Sequence, residues 1–80
     1  MEHKKETSNF FLIKYKSEET RKRFADYILK LIKKHEILDF HVEEKYAFEE
    51  ERIIYNGHTL VSKEFSFEKL EYQFLKYYSY

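Results

Sequence analysis

The chain's one glycine and its lack of proline restrict its fold more than any other feature of the sequence. The glycine follows an asparagine, and an Asn56-Gly57 pair is typical of a type I′ β-turn, because both central positions of that turn need positive φ angles. The residues on either side, 52–55 and 58–61, are therefore predicted to pair as a β-hairpin. Three cross-strand pairs follow from this turn: Tyr55 with His58, Ile54 with Thr59, and Ile53 with Leu60.

Upstream of the hairpin, the hydrophobic pattern predicts a strand followed by a helix. Residues 10–16 begin as a continuous apolar run and then alternate, which is typical of a central strand with both faces buried over its first half. Ser17 is a candidate N-cap, and the carboxylates of the next two residues suit the positive end of a helix dipole. Apolar residues then recur every three or four positions, which predicts a helix over residues 18–36. Its apolar stripe consists of Phe24, Ile28, Leu31, Ile32 and His35. We interpret His35 as a hydrogen-bonded core or boundary residue instead of a ligand.

After this helix the apolar residues recur at every second position, which is typical of a strand with one covered face. The apolar residues, which we expect to face the helices, occupy even positions: Leu38, Phe40, Val42, Tyr46 and Phe48. An alternative keeps residues 45–55 helical, because Glu and Ala are good helix formers. That alternative gives a mostly α protein with a small hairpin.

A second helix is predicted near the end of the chain, where Ser66 is a candidate N-cap. Its apolar stripe consists of Phe67, Leu70, Phe74, Tyr77 and Tyr78. The element order is strand, helix, three strands, helix. Two amphipathic helices need one sheet face between them, so we predict an α+β two-layer sandwich with a mainly antiparallel sheet and both helices on one face. Residues 1–8 are interpreted as a flexible N-terminal arm, and residues 9–80 as a single α+β domain.

The composition argues against most kinds of catalytic, disulfide and metal-binding site. Without cysteine the chain has no disulfide framework, zinc–thiolate site or cysteine nucleophile. One glycine cannot form a phosphate-binding loop, and no serine lies in a nucleophile elbow. Asp39, His41 and Glu43 alternate along one strand, but side chains two residues apart project in parallel instead of converging on one ion. We therefore predict that the protein is not an enzyme and has no cofactor and no metal site.

Hydropathy and amino-acid composition allow predictions of the protein's cellular location and origin. No stretch approaches the roughly 18 consecutive apolar residues of a membrane span, and the first residues lack the apolar region of a signal peptide. We therefore expect a soluble cytoplasmic protein with no membrane partner. The scarcity of Gly, Pro and side-chain amides fits proteins of hot organisms and of AT-rich genomes alike. By fold-level analogy, such a chain fits an inhibitor or regulator that a virus or mobile element encodes against a host system, in which case it acts in the host cytoplasm.

The aromatic content points to a partner. The chain has eight Phe and eight Tyr, and Tyr favours edges and interfaces because its ring is apolar and its hydroxyl polar. Alternation along the first strand leaves apolar residues on the sheet face away from the helices, and such patches are typical of interfaces. We predict a homodimer that also contacts another protein. Its interface residues are Phe10, Leu12, Ile54, Tyr72, Tyr77, Tyr78 and Tyr80.

Charge is balanced in total but is unevenly distributed. Residues 14–34 carry eight basic side chains against three acidic ones, and residues 36–51 carry seven acidic against one basic. We expect the basic side chains to face solvent from the first helix and the acidic ones from the sheet, an arrangement that steers partners. The alternative function is nucleic-acid binding, although a net charge of zero argues against it. Its phosphate contacts are Lys14, Lys16, Arg21, Lys22, Arg23, Lys30, Lys33 and Lys34.

Overall fold

The computed structural model describes residues 9–61 and 66–78, and these ranges contain two helices and a four-stranded sheet. The predicted element order and the α+β class are confirmed. The predicted arm, residues 1–8, lies outside the described residues, as does Tyr80. The elements are β1 (Asn9–Tyr15), α1 (Glu18–Lys34), β2 (Phe40–Tyr46), β3 (Arg52–Tyr55), β4 (His58–Val61) and α2 (Phe67–Tyr77).

The sheet is mixed, with strand order β2-β1-β3-β4. Strand β1 pairs in parallel with β2 and antiparallel with β3, and β3 pairs antiparallel with β4. The parallel pair is possible because α1 carries the chain back to the starting edge, which a short turn cannot do. The strand predicted to be central, β1, therefore lies inside the sheet, and β2 and β4 form its edges.

Helix α1 begins and ends through its own capping groups. The Ser17 hydroxyl accepts a hydrogen bond from the N–H of Thr20 at 3.2 Å, as expected for an N-cap. At the other end Glu36 has a positive φ of 50°, and the N–H of Ile37 donates to the carbonyl of Ile32 at 3.0 Å. This is a Schellman motif, and it returns Ile37 to the core beside Ile32. The helix was predicted to reach residue 36 but ends at Lys34 because this motif closes it.

The hairpin forms as its turn predicted, except at one pair. Asn56 and Gly57 have φ angles of 46° and 88°. The pairs Tyr55 with His58 and Ile54 with Thr59 are confirmed. The third prediction, Ile53 with Leu60, is wrong, because a register shift places Val61 opposite Ile53. This bulge leaves Leu60 unpaired and buried in the core.

Asn56 also attaches the turn to the central strand. Its side-chain carbonyl oxygen accepts a hydrogen bond from the N–H of Phe10, and its own N–H donates to the carbonyl of Phe10, both at 2.8 Å. The turn therefore fixes the first residues of β1 as well as the register of the hairpin.

One cluster of buried side chains joins both helices to the sheet. Phe11 and Ile13 of β1 point into it. The ring of Phe74 from α2 lies 6.1 Å from that of Phe11 and 5.1 Å from that of Tyr55. The predicted α1 stripe is buried apart from the half-buried His35, whereas Tyr77 of the α2 stripe is exposed. The buried apolar residues are Phe11, Ile13, Phe24, Ile28, Leu31, Ile32, Ile37, Ile53, Tyr55, Leu60, Leu70 and Phe74.

Strand β2 is extended as predicted, and the helical alternative for residues 45–55 is wrong: residues 47–51 connect β2 to β3. The prediction that the helices cover its apolar side is also wrong. Only Val42 packs against the core, whereas Leu38 is 91% exposed and Phe48 is 77% exposed. The reason is lateral position, because α1 lies against β1 and α2 against β4, so the edge strand β2 extends beyond the helices.

The Schellman motif gives a stability prediction. A left-handed residue with a side chain is disfavoured by about 1 kcal/mol relative to glycine, so Glu36→Gly is expected to raise the free energy of unfolding by up to about 1 kcal/mol. Urea unfolding measures the change. Glu36→Ala is the matched control and should give no comparable gain. A Gly variant no more stable than the Ala variant would show that residue 36 is not held in the left-handed region.

Candidate functional site

Three of the predicted interface residues lie together on the sheet face opposite the core. Phe11 and Ile13 point into the core, so Phe10 and Leu12 of the same strand point to the other face. Ile54 is the register partner of Leu12 on β3 and shares that face. All three are half-buried. We call Phe10, Leu12 and Ile54 the open-face patch.

Polar and charged residues surround the open-face patch. The ring of Phe10 stacks on the imidazole of His41 from β2, with centroids 5.4 Å apart and an interplanar angle of 12°. At the other end of the face, Lys14 has Lys45 and Arg52 as its register partners on either side. The sequence predicted acidic side chains on the open face. Glu43, the register partner of Leu12, lies on this face, but a cationic row adjoins the patch as well. The alternation of β1 sets the row, since Lys14 follows Phe10 and Leu12 on the same face.

The predicted interface tyrosines of α2 do not join the open-face patch, because α2 packs on the core side of the sheet. Tyr72 is 66% exposed. Tyr77 stacks on the imidazole of His58, with centroids 4.0 Å apart. Tyr78 is half-buried, and its ring lies 4.6 Å from that of Phe74 in the core. Tyr72 and Tyr77 therefore present accessible aromatic surface, whereas Tyr78 contributes to the fold.

The structure exposes a second apolar surface that the sequence analysis assigned to the core. We call the even-numbered residues Leu38, Phe40, Tyr46 and Phe48 the edge strip, since they lie in and beside the edge strand β2. All four are exposed, and the ring of Tyr46 contacts those of Tyr15 and Phe48. The signal that could have revealed this surface is the strand–helix–strand order, which favours a parallel pair and allows the second strand to lie at the sheet edge.

The eight predicted phosphate contacts separate into several places. Lys14 lies on the open face, and Lys16 follows β1, where its backbone N–H donates to the Glu51 carboxylate at 2.9 Å. Arg21 forms ion pairs with Glu18 at 2.8 Å and with Glu44 at 3.1 Å. Lys34 forms one with Glu71 at 3.0 Å. The other four are exposed along α1: Lys22, Arg23, Lys30 and Lys33.

His35 belongs to a charged contact between the two helices. Its Nε2 lies 2.8 Å from Oε2 of Glu71, and the ammonium of Lys34 donates to Oε1 of the same carboxylate at 3.1 Å. These hydrogen bonds, from Lys34 and from His35, hold the pKa of the Glu71 carboxyl below its ordinary value. The contact joins the C-terminal end of α1 to α2, so His35 is the hydrogen-bonded boundary residue that its position predicted.

Comparisons with protein-family models, with curated proteins and with solved structures found no match. In residues 9–61 and 66–78 neither helix has the length and apolar content needed to cross a membrane. Within the same ranges, no three His, Asp or Glu side chains are grouped as metal ligands would be. The candidate functional features of the described residues are therefore the open-face patch, the edge strip and the charges around them.

The Glu71 contact predicts a pH-dependent contribution to stability. Because folding lowers the pKa of Glu71, its stabilising effect is complete above the unfolded carboxyl's pKa of 4.5 and is lost as pH falls through the lower folded value. Glu71→Gln is expected to reduce the free energy of unfolding at pH 7 by on the order of 1 kcal/mol. Wild type and variant should converge in acid.

Denaturant unfolding between pH 7 and pH 3 measures this effect. Glu49→Gln, an exposed change in the connection between β2 and β3, is the control and should differ little from wild type at either pH. A Glu71→Gln deficit of equal size at both ends of the range would contradict the assignment to the ionised carboxylate.

Proposed function

We propose that this protein is a small, non-enzymatic protein-interaction module that works in the cytoplasm as a homodimeric regulator or inhibitor. The observation that supports this most is the open-face patch. Its three large apolar side chains point away from Phe11 and Ile13, which share one buried cluster with residues of both helices. Contiguous apolar surface on a small protein is typical of a site that another macromolecule covers. The absence of cysteine, the small size and the segregated charge fit an origin in a virus or mobile element, with a host protein as target.

The surroundings of the open-face patch indicate the chemistry of the partner. Leu12 and Ile54 are held by hydrogen-bonded strands, so their side chains can be covered at little further entropic cost. The row formed by Lys45, Lys14 and Arg52 lies directly beside them. Arg52 forms an ion pair with Glu50, and Glu43 lies beside Leu12 on the same face. A protein surface that combines apolar side chains with carboxylates placed near Lys14 and Lys45 would complement these features. Tyr72 and Tyr77 supply a separate aromatic contact region on α2.

A pair of matched substitutions tests the role of the open-face patch. Leu12→Glu places a carboxylate in the patch, and Leu75→Glu makes the same change at an exposed leucine of α2. Neither residue belongs to the buried core, so both variants should fold. We expect partners selected from a displayed library of the source or host proteome to bind Leu12→Glu at least about tenfold more weakly than wild type. Binding to Leu75→Glu should be nearly unchanged.

Quantitative binding of each selected clone to the three proteins measures the difference. Selected partners that bind all three equally would contradict a role for the open face. A library that yields no specific clone for the wild type would contradict the interaction module itself.

Nucleic-acid binding is the second candidate, because four cationic side chains are exposed along α1: Lys22, Arg23, Lys30 and Lys33. Against it, the ion pairs of Arg21 and Lys34 already use two of the predicted phosphate contacts. Asp26 lies among the remaining cations on the exposed side of the helix. Four cations beside a carboxylate would give only weak, sequence-independent binding.

A gel-shift titration with mixed-sequence DNA and RNA separates the two candidates. We expect no shift at about 50 mM salt, because the protein as a whole is neutral and its helix cations are partly paired. A shift that weakens steeply toward about 200 mM salt, and that Lys22→Glu with Lys33→Glu abolishes, would instead support the nucleic-acid function.

A further inference from the structure

The outer edge of β2 has backbone groups that no strand of the described ranges pairs with. On the inner side, the N–H of Asn9 donates to the carbonyl of Asp39 and the N–H of Ala47 donates to the carbonyl of Tyr15. Backbone groups alternate in direction along a strand, so the odd residues of β2 point to β1 and the even residues point outward. The outward N–H and C=O groups belong to Phe40, Val42, Glu44 and Tyr46.

The same strand carries apolar side chains that nothing in the described chain covers. The edge strip is exposed throughout, and Leu38 and Phe48 at its two ends are the most exposed apolar residues of the protein's described part. Soluble monomers normally protect an edge strand by making it short, irregular or charged, since a bare edge is a template for another strand. Strand β2 is neither short nor irregular, because its seven residues pair with β1 in continuous register. It carries Glu43, Glu44 and Lys45, so the strand that it can receive is one whose charges complement these residues.

We propose that the occupant is β2 of a second copy, paired antiparallel about a two-fold axis so that one continuous sheet runs through both copies. This proposal rests on the proposed function, because it specifies which strand joins the two copies of the homodimer. In a two-fold contact the same surface serves both copies, so each residue pair occurs twice. Because the outward groups belong to even residues, even residues must lie opposite even residues. The registers that keep most of β2 paired place Val42, Glu43 or Glu44 on the axis.

Charge complementarity selects one of these registers. With Glu43 on the axis, Glu43 meets its own copy and His41 meets Lys45, so neither pair is complementary in charge. With Glu44 on the axis, that carboxylate meets its own copy. With Val42 on the axis, Asp39 lies opposite Lys45 and His41 lies opposite Glu43, each twice. In this register each charged residue at an odd position, namely Asp39, Glu43 and Lys45, lies opposite a side chain that can complement its charge.

The Val42 register also places apolar side chains in contact on the helix side of the sheet. Leu38 lies opposite Tyr46, and Val42 lies opposite its own copy. Glu44 lies opposite Phe40 and keeps its ion pair with Arg21 within its own chain. Pairing in this register would therefore cover three members of the edge strip and satisfy the outward backbone groups together.

The open-face patches of the two copies would lie on the same side of the joined sheet. The pleat keeps odd residues of β2 on the open face in both copies, because opposite residues in antiparallel strands share a face. A dimer would therefore present two patches side by side to one partner.

Reciprocal charge substitutions test the register. Asp39→Lys places a lysine opposite Lys45 of the other copy, and Lys45→Asp places an aspartate opposite Asp39. By symmetry, each of these like-charge pairs occurs twice in the dimer. Each single variant is expected to self-associate about tenfold more weakly than wild type, because two favourable pairs become repulsive. An equimolar mixture of the two variants should form a heterodimer of wild-type affinity, since every pair is then complementary. Asp26→Lys on α1 makes the same charge change elsewhere and should leave self-association unchanged.

Sedimentation velocity over a concentration series measures self-association, and circular dichroism checks that each variant is folded. A wild-type monomer at all concentrations, or a mixture that fails to restore association, would overturn the pairing. So would a dimer that Leu12→Glu disrupts and Asp39→Lys does not, because that dimer would use the open face. The proposed function has its own readout in the selected partners. If the wild type is a monomer at all concentrations but selected partners bind it and do not bind Leu12→Glu, the interaction module is retained while the strand pairing fails.

Discussion

The burial of Phe11 and Ile13 beneath the helices determines the orientation of everything else in the sheet. Both side chains are 0% exposed, and burying an apolar side chain of this size contributes about 1.5–3 kcal/mol. A one-residue slip of β1 would move these two side chains to solvent and bring Lys14 into the core, so the register is strongly held. Through the pairing of β1 with β2 and β3, this one choice sets which residues of three strands face away from the helices.

The features that could be predicted from the sequence are those set by local chemistry. Ser17, Ser66 and Asn56-Gly57 act within a few residues of themselves, and each forms the cap or turn that its residue type predicted. The apolar stripe of α1, with its 3.6-residue period, also predicted which side of the helix is buried, because an amphipathic helix packs through its apolar side. Leu60 was misplaced because a bulge adds one residue to one strand and leaves no mark on alternation.

The edge strip could not be predicted for a different reason. Alternation in β2 correctly separated the apolar side from the polar side, but it carries no information on what covers either side. That depends on the order of strands in the sheet, which is a long-range property. The same limit applies to the candidate site. The pattern of β1 predicted that Phe10 and Leu12 share a face, whereas the contacts of Tyr78 with His35 and Tyr55 and the pairing of Arg21 with Glu44 depend on tertiary structure.

The odd-numbered residues of β2 take part in both the open face and the proposed strand pairing. His41 stacks on Phe10 of the open-face patch, and Lys45 adjoins Lys14 in the cationic row. In the proposed strand pairing the same two side chains face Glu43 and Asp39 of the second copy. Self-association would then reduce the net positive charge beside the patch and hold the His41 ring against Phe10. Linkage requires the effect to be reciprocal, so a partner that favours the fixed His41 ring would strengthen dimerisation, and one that depends on a free Lys45 would oppose it.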